Sequence, residues 1–265
     1  MTRLTLSGVG FGTIVEDISV DWKAGQLVGL IGPNGAGKST LLRLMAGVRS
    51  PDQGRVDLDG LDIRELGTRA RARAIAYLPQ QIPEDVPFNV YEFVRMGRYS
   101  HPGSTAADNE AAVREALARM NLEHAAEVPL SSLSGGERQR AGVARCLAQE
   151  SRVLLLDEPI ASLDLYYQLD ILQHLQKLTE SGYLVVLAIH HLELAIRFCS
   201  DLLLLHKGKM HGSGDVQDVL SEKALADVFG VSARTYWDPF VDSLRLSLID
   251  RVGVGATSPP LRLEK

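Results

Sequence analysis

Apolar and polar residues follow one another in blocks along this chain, and the blocks predict strands that alternate with helices. Continuous apolar runs end at Ile31, Leu156 and Ile189, and such runs are typical of short strands buried on both faces. The predicted helices, which follow these runs and repeat apolar residues with helical spacing, lie over about 38–46, 166–181 and 192–199. This alternation predicts an α/β fold with a mostly parallel sheet.

Two stretches depart from the alternation. The patterning of residues 3–7 and 14–22 is β-like, and residues 55–58 enter a tight hairpin, so we expect an antiparallel β part on the N-terminal side. After residue 80, prolines and helical patterns predict an inserted α-helical subdomain over about 82–150.

The C-terminal part carries the weakest pattern. Residues after Pro239 show little periodicity, and four punctuating residues follow: Gly253, Gly255, Pro259 and Pro260. We therefore expect a single domain over 1–240, which includes the helical insertion, and an irregular tail over 241–265.

A glycine-rich loop separates the first buried strand from the first helix. This phosphate loop consists of Gly32, Pro33, Asn34, Gly35, Ala36, Gly37, Lys38, Ser39 and Thr40. Its glycines allow successive backbone N–H groups to turn around phosphates, and the positive end of the following helix adds to that field. Lys38 is placed to reach the β- and γ-phosphates, and the Ser39 hydroxyl to bind Mg²⁺. A glycine-rich turn without a ligand would not explain Lys38 and Ser39, so a nucleoside triphosphate site is predicted.

Composition narrows the class of protein further. The 265 residues, 45% of them apolar, suffice for a sizeable core, but the longest apolar runs are too short to span a bilayer. A net charge of −5 argues against a nucleic-acid-binding surface. Cys146 and Cys199 lack the close spacing of a metal site. The first residues lack the apolar core of a secretion signal, so we expect a cytosolic location.

Two acids end the apolar run at 153–156. A carboxylate at the tip of a buried strand beside the phosphate loop is well placed to hold Mg²⁺, and we assign this role to Asp157. Glu158 points elsewhere and is placed to polarise the attacking water. A pair of acids that merely ends a strand is the alternative, which the phosphate loop disfavours.

A second anion-binding pattern, the signature segment (residues 134–137), precedes a helical stretch. Ser134 is a fitting N-cap, and Gly135 and Gly136 leave backbone N–H groups open to an anion ahead of Glu137. A capped helix alone does not explain two successive glycines, because each weakens the first turn by about 1 kcal/mol.

The order of four motifs resembles that of the ATP-binding cassette ATPases. These motifs are the phosphate loop, Gln80 after a strand, Leu-Ser-Gly-Gly-Glu, and a strand ending in Asp-Glu-Pro. The resemblance covers about residues 3–230, and Leu-Ser-Gly-Gly-Glu is highly specific to that family. It implies bound ATP and Mg²⁺ and two copies paired head to tail, each ATP lying between one phosphate loop and the other copy's signature segment. It also implies that Gln80 contacts Mg²⁺ or the water, that Asp164 communicates across the dimer, and that His190 contacts the γ-phosphate.

Two positions depart from the family pattern. His191 stands where the family usually has an acid after the histidine, and a solvated helix start is the favoured interpretation over a second functional histidine. The family often stacks an aromatic ring from its N-terminal strands on adenine; Phe11 is the candidate here, with a core or surface phenylalanine as the alternative.

Residues 97–101, Gly-Arg-Tyr-Ser-His, resemble a stretch of the ATPases that energise importers of iron–siderophore chelates, haem and cobalamin. That resemblance implies integral membrane permease subunits as partners, an extracytoplasmic substrate-binding protein indirectly, and a peripheral place at the cytoplasmic face of the inner membrane. A helix end with a basic, aromatic surface is the simpler alternative. A soluble ATPase such as an iron–sulfur assembly component, or an importer ATPase for another substrate class, remains a rival. A single phosphate loop without a following heptad run disfavours nucleic-acid-linked relatives.

Overall fold

The computed structural model describes residues 2–83, 85–161, 163–240 and 243–252. Its strands are β1 (Arg3–Phe11), β2 (Val15–Lys23), β3 (Leu27–Ile31), β4 (Gln53–Leu58), β5 (Leu61–Asp62), β6 (Ile75–Leu78), β7 (Val153–Asp157), β8 (Leu184–Ala188), β9 (Asp201–His206), β10 (Lys209–Asp215), β11 (Val231–Asp238) and β12 (Ser243–Arg251). Its α-helices are α1 (Lys38–Met45), α2 (Thr68–Ala74), α3 (Val90–Arg95), α4 (Ala106–Arg119), α5 (Gly135–Ala148), α6 (Leu165–Glu180), α7 (Leu192–Phe198), α8 (Val216–Val219) and α9 (Glu222–Phe229).

The central sheet has the strand order β10-β9-β3-β8-β7-β6, and all its neighbours are parallel except β10 and β9. Every residue of β3, β7 and β8 is buried, since helices or a second sheet cover both faces. The predicted α/β fold class with a mostly parallel sheet is therefore confirmed.

The two faces of the central sheet bury separate hydrophobic clusters. Leu27 and Ile31 of β3 point to a cluster shared with the helices α3–α6, whereas Val28 and Leu30 point to the other. That other cluster includes α1 and the antiparallel sheet β2-β1-β4-β5, so α1 packs between the two sheets. The expected N-terminal antiparallel part is present, and β1 is longer than the patterning of residues 3–7 indicates.

Helices α3, α4 and α5 lie between β6 and β7 along the chain, as the helical pattern predicts. The 97–101 segment joins them, because its buried Arg98 donates to the backbone oxygen of Ala148 at 2.7 Å and to Asn109 of α4 at 2.9 Å. His101 Nε2 lies 2.8 Å from the backbone oxygen of Gln149. Carbonyls that follow or end α5, left without helical partners, are thus satisfied by side chains of this segment.

The region after Pro239 differs from the expected irregular tail. β11 and β12 pair as antiparallel strands, and Leu244 and Leu246 pack against the main core. Alternating leucines separated by polar residues are a strand pattern with one buried face, which the weak overall periodicity conceals. The predicted punctuation at 253–260 lies outside the described residues.

The close packing at Gly97 yields a test of this architecture. A Cβ at Gly97 would lie 2.4 Å from the backbone oxygen of Arg145 in α5, so Gly97→Ala forces the segment away from the helix. We expect the free energy of unfolding in urea to fall by about 1–3 kcal/mol, as for other overpacked sites. Gly103→Ala is the matched control, because no atom lies within 4 Å of its added Cβ. Equal losses in both variants would contradict the packing described.

Candidate functional site

The phosphate loop joins the C-terminal end of β3 to the first turn of α1. Gly32 has φ 143°, and a Cβ there would lie 2.2 Å from the backbone oxygen of Leu205. Gly37 has φ 101°, and its Cβ would lie 2.7 Å from the backbone oxygen of Ile14. Only glycine fits both positions, since the backbone is left-handed there and other backbone is close.

Lys38 begins α1 and folds back over the loop. Its side-chain nitrogen donates to the backbone oxygens of Gly32 at 2.8 Å and Pro33 at 3.0 Å, and the residue is buried. Burial lowers the pKa of this amine, and the carboxylates of Glu158 and Asp157 act against that shift. The acids therefore offset only part of the desolvation of this amine.

Asp157 ends β7 with no exposed surface. Its Oδ1 accepts a hydrogen bond from the Ser39 hydroxyl at 2.9 Å, and its Oδ2 is buried without a hydrogen-bond partner among the described residues. Burial, more than any other cause, raises the pKa of this carboxyl group. A hydroxyl beside a carboxylate oxygen that lacks a partner fits the oxygen ligands preferred by Mg²⁺.

Glu158 follows directly and lies between two polar side chains. Its Oε1 is 2.5 Å from Nε2 of His190, and its Oε2 accepts from the amide of Gln80 at 3.0 Å. The three residues follow β7, β8 and β6, which are neighbours in the sheet and run in one direction. Their carboxyl ends meet at one edge, where open α/β sheets place their ligand sites.

These groups line one cavity of about 670 Å³, here named the first cavity. Its lining residues are Ile14, Asn34, Gly35, Ala36, Gly37, Lys38, Ser39, Thr40, Gln80, Glu158 and His190. His191 is exposed at the start of α7 and is not among them.

Phe11 does not line the first cavity either. Its ring lies 5.3 Å from the guanidinium carbon of Arg49, whereas Ile14 at the turn between β1 and β2 reaches the cavity. Ile14 is not among the site residues predicted from the sequence. The signal available in the sequence was an apolar residue within a hairpin turn, and in the structure Ile14 is 44% exposed.

The signature segment forms a second site on the same chain. Ser134 caps α5 by accepting from the backbone N–H of Glu137 at 3.2 Å, while the Glu137 carboxylate accepts from the backbone N–H of Ser134 at 3.0 Å. The Ser134 hydrogen bonds lower the pKa of Glu137. Asp164 caps α6 by accepting from the backbone N–H of Tyr167 at 3.1 Å, and the described residues add no reciprocal hydrogen bond of the kind seen at Ser134.

This second cavity has a volume of about 600 Å³ and shares no lining residue with the first. It is lined by Ser134, Gly135, Gly136, Glu137, Arg140, Leu163, Asp164 and Tyr167. Arg140, Leu163 and Tyr167 are additions to the predicted set, and Arg140 stacks on Tyr167 with 3.9 Å between guanidinium carbon and ring centre. Ser162 beside Asp164 lies outside the described residues.

The geometry agrees with comparisons to known proteins. The sequence profile of the ABC transporter family matches residues 15–161, which include the phosphate loop, Gln80, the signature segment and both strand-end acids. The chain belongs to the ABC transporter family. Its membership confirms the resemblance inferred from the motifs.

Similar ABC proteins come from bacteria and archaea. The cobalamin import ATP-binding protein BtuD of Halobacterium salinarum is 40% identical over 92% of this chain, which spans only 62% of that relative's length. The hemin import ATP-binding protein HmuV of Pseudomonas entomophila is 40% identical, over 84% of this chain and 89% of its own. The ferric enterobactin transport ATP-binding protein FepC of Escherichia coli K12 is 37% identical, over 89% of each.

Solved ABC structures share the fold. The ATP-binding cassette MJ0796, described as a dimer in a post-hydrolysis state with ADP and phosphate, superposes with a TM-score of 0.73 at 27% identity. The match covers 81% of this chain and 99% of that one. Across the described ranges of this ABC protein, no helix combines the length and apolar character needed to cross a bilayer.

The burial of Asp157 predicts a pH-dependent effect of Asp157→Asn on stability. Since burial raises its pKa above the ordinary 3.8, the folded protein binds this proton more tightly than the unfolded chain. The contribution of Asp157 to stability is therefore largest below pH 3.8 and declines as pH rises through the higher folded pKa. We expect Asp157→Asn to gain stability over the unliganded wild type as pH rises from about 3.8, in urea titrations without Mg²⁺.

The matched control is Asp62→Asn, because Asp62 has its pKa lowered by the hydrogen bonds of Arg64. Because a lowered pKa contributes its stability in full above the ordinary value of 3.8, the Asp62→Asn variant should differ from wild type by a constant amount over the same rise in pH. A constant difference between Asp157→Asn and wild type at every pH would contradict the assigned burial effect.

Proposed function

We propose that this chain is the ATP-binding and ATP-hydrolysing subunit of an importer for metal chelates of the iron–siderophore, haem or cobalamin type. The observation that carries the proposal is the carboxylate of Glu158, fixed between Gln80 and His190 at the edge of the phosphate-loop cavity. The proposed cassette domain spans 1–240 with a helical subdomain at about 82–150, and residues 241–265 follow it.

The first cavity is suited to the triphosphate of ATP. Residues 32–40 offer backbone N–H groups and the N-terminus of α1, and Lys38 supplies the positive charge for the β- and γ-phosphates. Ser39 and Asp157 would hold Mg²⁺, together with Gln80, and the bound ion would neutralise charge on the phosphates. We assign the adenine contact to Ile14 and not to the expected Phe11, because Ile14 lines this cavity and Phe11 does not.

Hydrolysis needs an oriented water molecule next to the γ-phosphate. The Glu158 carboxylate orients that water and accepts its proton as the oxygen attacks phosphorus and ADP leaves. Gln80 and His190 each contact one carboxylate oxygen of Glu158, which restricts its rotation. His190 also lies within the cavity and contacts the γ-phosphate in this scheme.

The second cavity completes the site of another copy. Because the signature segment and Asp164 line a cavity separate from the phosphate loop, one chain cannot enclose its own nucleotide with both. A head-to-tail pair brings each signature segment to the neighbour's ATP, as the MJ0796 dimer with ADP and phosphate supports. ATP then stabilises the closed pair through contacts made only in that state, and hydrolysis releases them.

The 97–101 segment supports a membrane permease as the partner. Arg98 and His101 are directed inward to hydrogen bonds, while Tyr99 between them is 76% exposed. An exposed tyrosine on a rigid support suits a protein contact. The permease would place this subunit at the cytoplasmic face of the membrane, and an extracytoplasmic binding protein would deliver the chelate. The named importer relatives support this class over an iron–sulfur assembly component.

The variant Glu158→Gln tests the hydrolytic role. The glutamine amide has nearly the shape of the Glu158 carboxylate but cannot accept a proton from water. We therefore expect ATP turnover to fall by about 10²–10⁴-fold while ATP still binds. Size-exclusion chromatography should then show an ATP-dependent dimer that ADP does not produce.

Lys38→Ala provides the contrast, because it removes a charge from the loop itself. It should weaken ATP binding by about tenfold or more, given about 1.5–3 kcal/mol for a charged hydrogen bond. A Glu158→Gln variant that stays monomeric with ATP would contradict the sandwich arrangement, and unchanged affinity in Lys38→Ala would contradict the role of Lys38.

The hypothesis that this chain is an importer subunit predicts co-purification with an integral membrane protein. A tagged wild-type chain, extracted from its own cells in mild detergent, should bring down a polytopic permease, and Tyr99→Ala should reduce the recovered permease severalfold. Tyr236→Ala is the matched control, because that tyrosine is also exposed but lies on β11. Recovery of only soluble partners by the wild type would favour the assembly-component alternative.

A further inference from the structure

Gln139 is a buried polar residue that the mechanism above does not use. It lies in the second turn of α5 and is 8% exposed. Its side-chain amide donates to the backbone oxygen of Glu158 at 3.1 Å. The contact is therefore made to the peptide of the proposed catalytic carboxylate and not to its side chain.

The backbone of Glu158 needs such support. Its φ is 54°, a left-handed conformation that is unfavourable for a residue with a Cβ and persists where surrounding contacts hold it. The same backbone oxygen also accepts from the N–H of Ala161 at 3.2 Å. Two donors thus fix the peptide after Glu158, and with it the direction in which the carboxylate leaves the chain.

The helix that carries Gln139 also carries the second cavity. Ser134 and Gln139 are five residues apart, which is about 7.5 Å along an α-helix. Ser134 lines the second cavity, and Glu158 lines the first. Arg140, the next residue of α5, turns instead to the backbone oxygen of Met120 at 3.1 Å. Gln139 therefore links the signature end of α5, at the second cavity, to the backbone of Glu158, whose side chain lines the first cavity.

We infer that Gln139 is a positioning residue, which makes the orientation of the Glu158 carboxylate depend on the position of α5. The inference rests on the proposed function, since it assigns consequences to hydrolysis at Glu158. A nucleotide of the neighbouring copy that engages the signature segment moves or steadies α5, and Gln139 conveys this to the peptide of Glu158. Each chain then activates its own water in response to the ATP held by its partner's loop.

The test is Gln139→Met in the full chain, which preserves volume and removes the donor. We expect kcat for ATP to fall about 10- to 100-fold, in line with the loss from a misplacement near 1 Å. The KM for ATP and the Kd of the nucleotide should stay within about twofold, because the phosphate loop is untouched. In a Glu158→Gln background, Gln139→Met should form the ATP-dependent dimer as readily as Glu158→Gln alone.

Gln149→Met is the matched control, because Gln149 also donates its amide to backbone oxygens, those of Ala72 and Ile75, away from both cavities. It should leave kcat within about twofold of wild type. If Gln139→Met does not fold, Gln139→Asn replaces it, since its amide is one methylene too short to reach Glu158. Measured thermal unfolding of each variant accompanies the kinetics.

Three results overturn the inference: an unchanged kcat in the Gln139 variants, an equal fall in Gln149→Met, or a lost ATP dimer in the Glu158→Gln background. The last result would show that Gln139 only shapes the signature end of α5. Failure of the proposed function would be seen in different measurements. The wild-type chain would then lack ATPase activity, or the Glu158→Gln variant would form no ATP-dependent dimer.

Discussion

The parallel pairing of β6, β7, β8 and β3 is the constraint on which the rest of the structure depends. Parallel strands buried on both faces leave polar groups only at their ends, and their carboxyl ends all meet at one edge. The phosphate loop, Asp157, Glu158, Gln80 and the histidine after β8 all follow such ends. Lys38 and His190, which are 152 positions apart in the chain, therefore line one cavity.

Burial at this edge of the sheet is electrostatically unfavourable for the charged groups of the site. Lys38 and Asp157 are both desolvated, and burial shifts their pKa values in opposite directions, each toward its neutral form. Attraction to the two acids opposes the pKa shift of Lys38, and attraction to Lys38 opposes that of Asp157, to which repulsion from Glu158 adds. The buried Oδ2 of Asp157 nevertheless lacks a partner among the described residues, and the proposed Mg²⁺ ligand role would account for a group that folding alone leaves unsatisfied.

Most of the fold and the contiguous parts of the site could be predicted from sequence, because their chemistry lies in neighbouring residues. The glycines around Lys38 need left-handed backbone, and an apolar run ending in two acids places both at a strand tip. Ile14 and Gln139 could not be found in this way. Their link to the site exists only in tertiary contacts, one through a hairpin turn and one across to the Glu158 peptide. The β12 strand was missed because Ile249 interrupts the alternation of Leu244, Leu246 and Leu248 with polar residues and weakens the period-two pattern.

The separation of the two cavities on one chain has a consequence for the proposed pair. In the proposed head-to-tail pair, the N-terminus of α1 in one copy would face the N-terminus of α5 in the other, and both helix ends carry partial positive charge. Lys38 adds a full positive charge to this junction. Two positive ends repel one another unless an anion lies between them, so the closed pair depends on the charge of the nucleotide as well as on its shape. Release of the γ-phosphate lowers the negative charge at the junction, because ADP keeps only the charges of its two phosphates, and so weakens the attraction that holds the copies together.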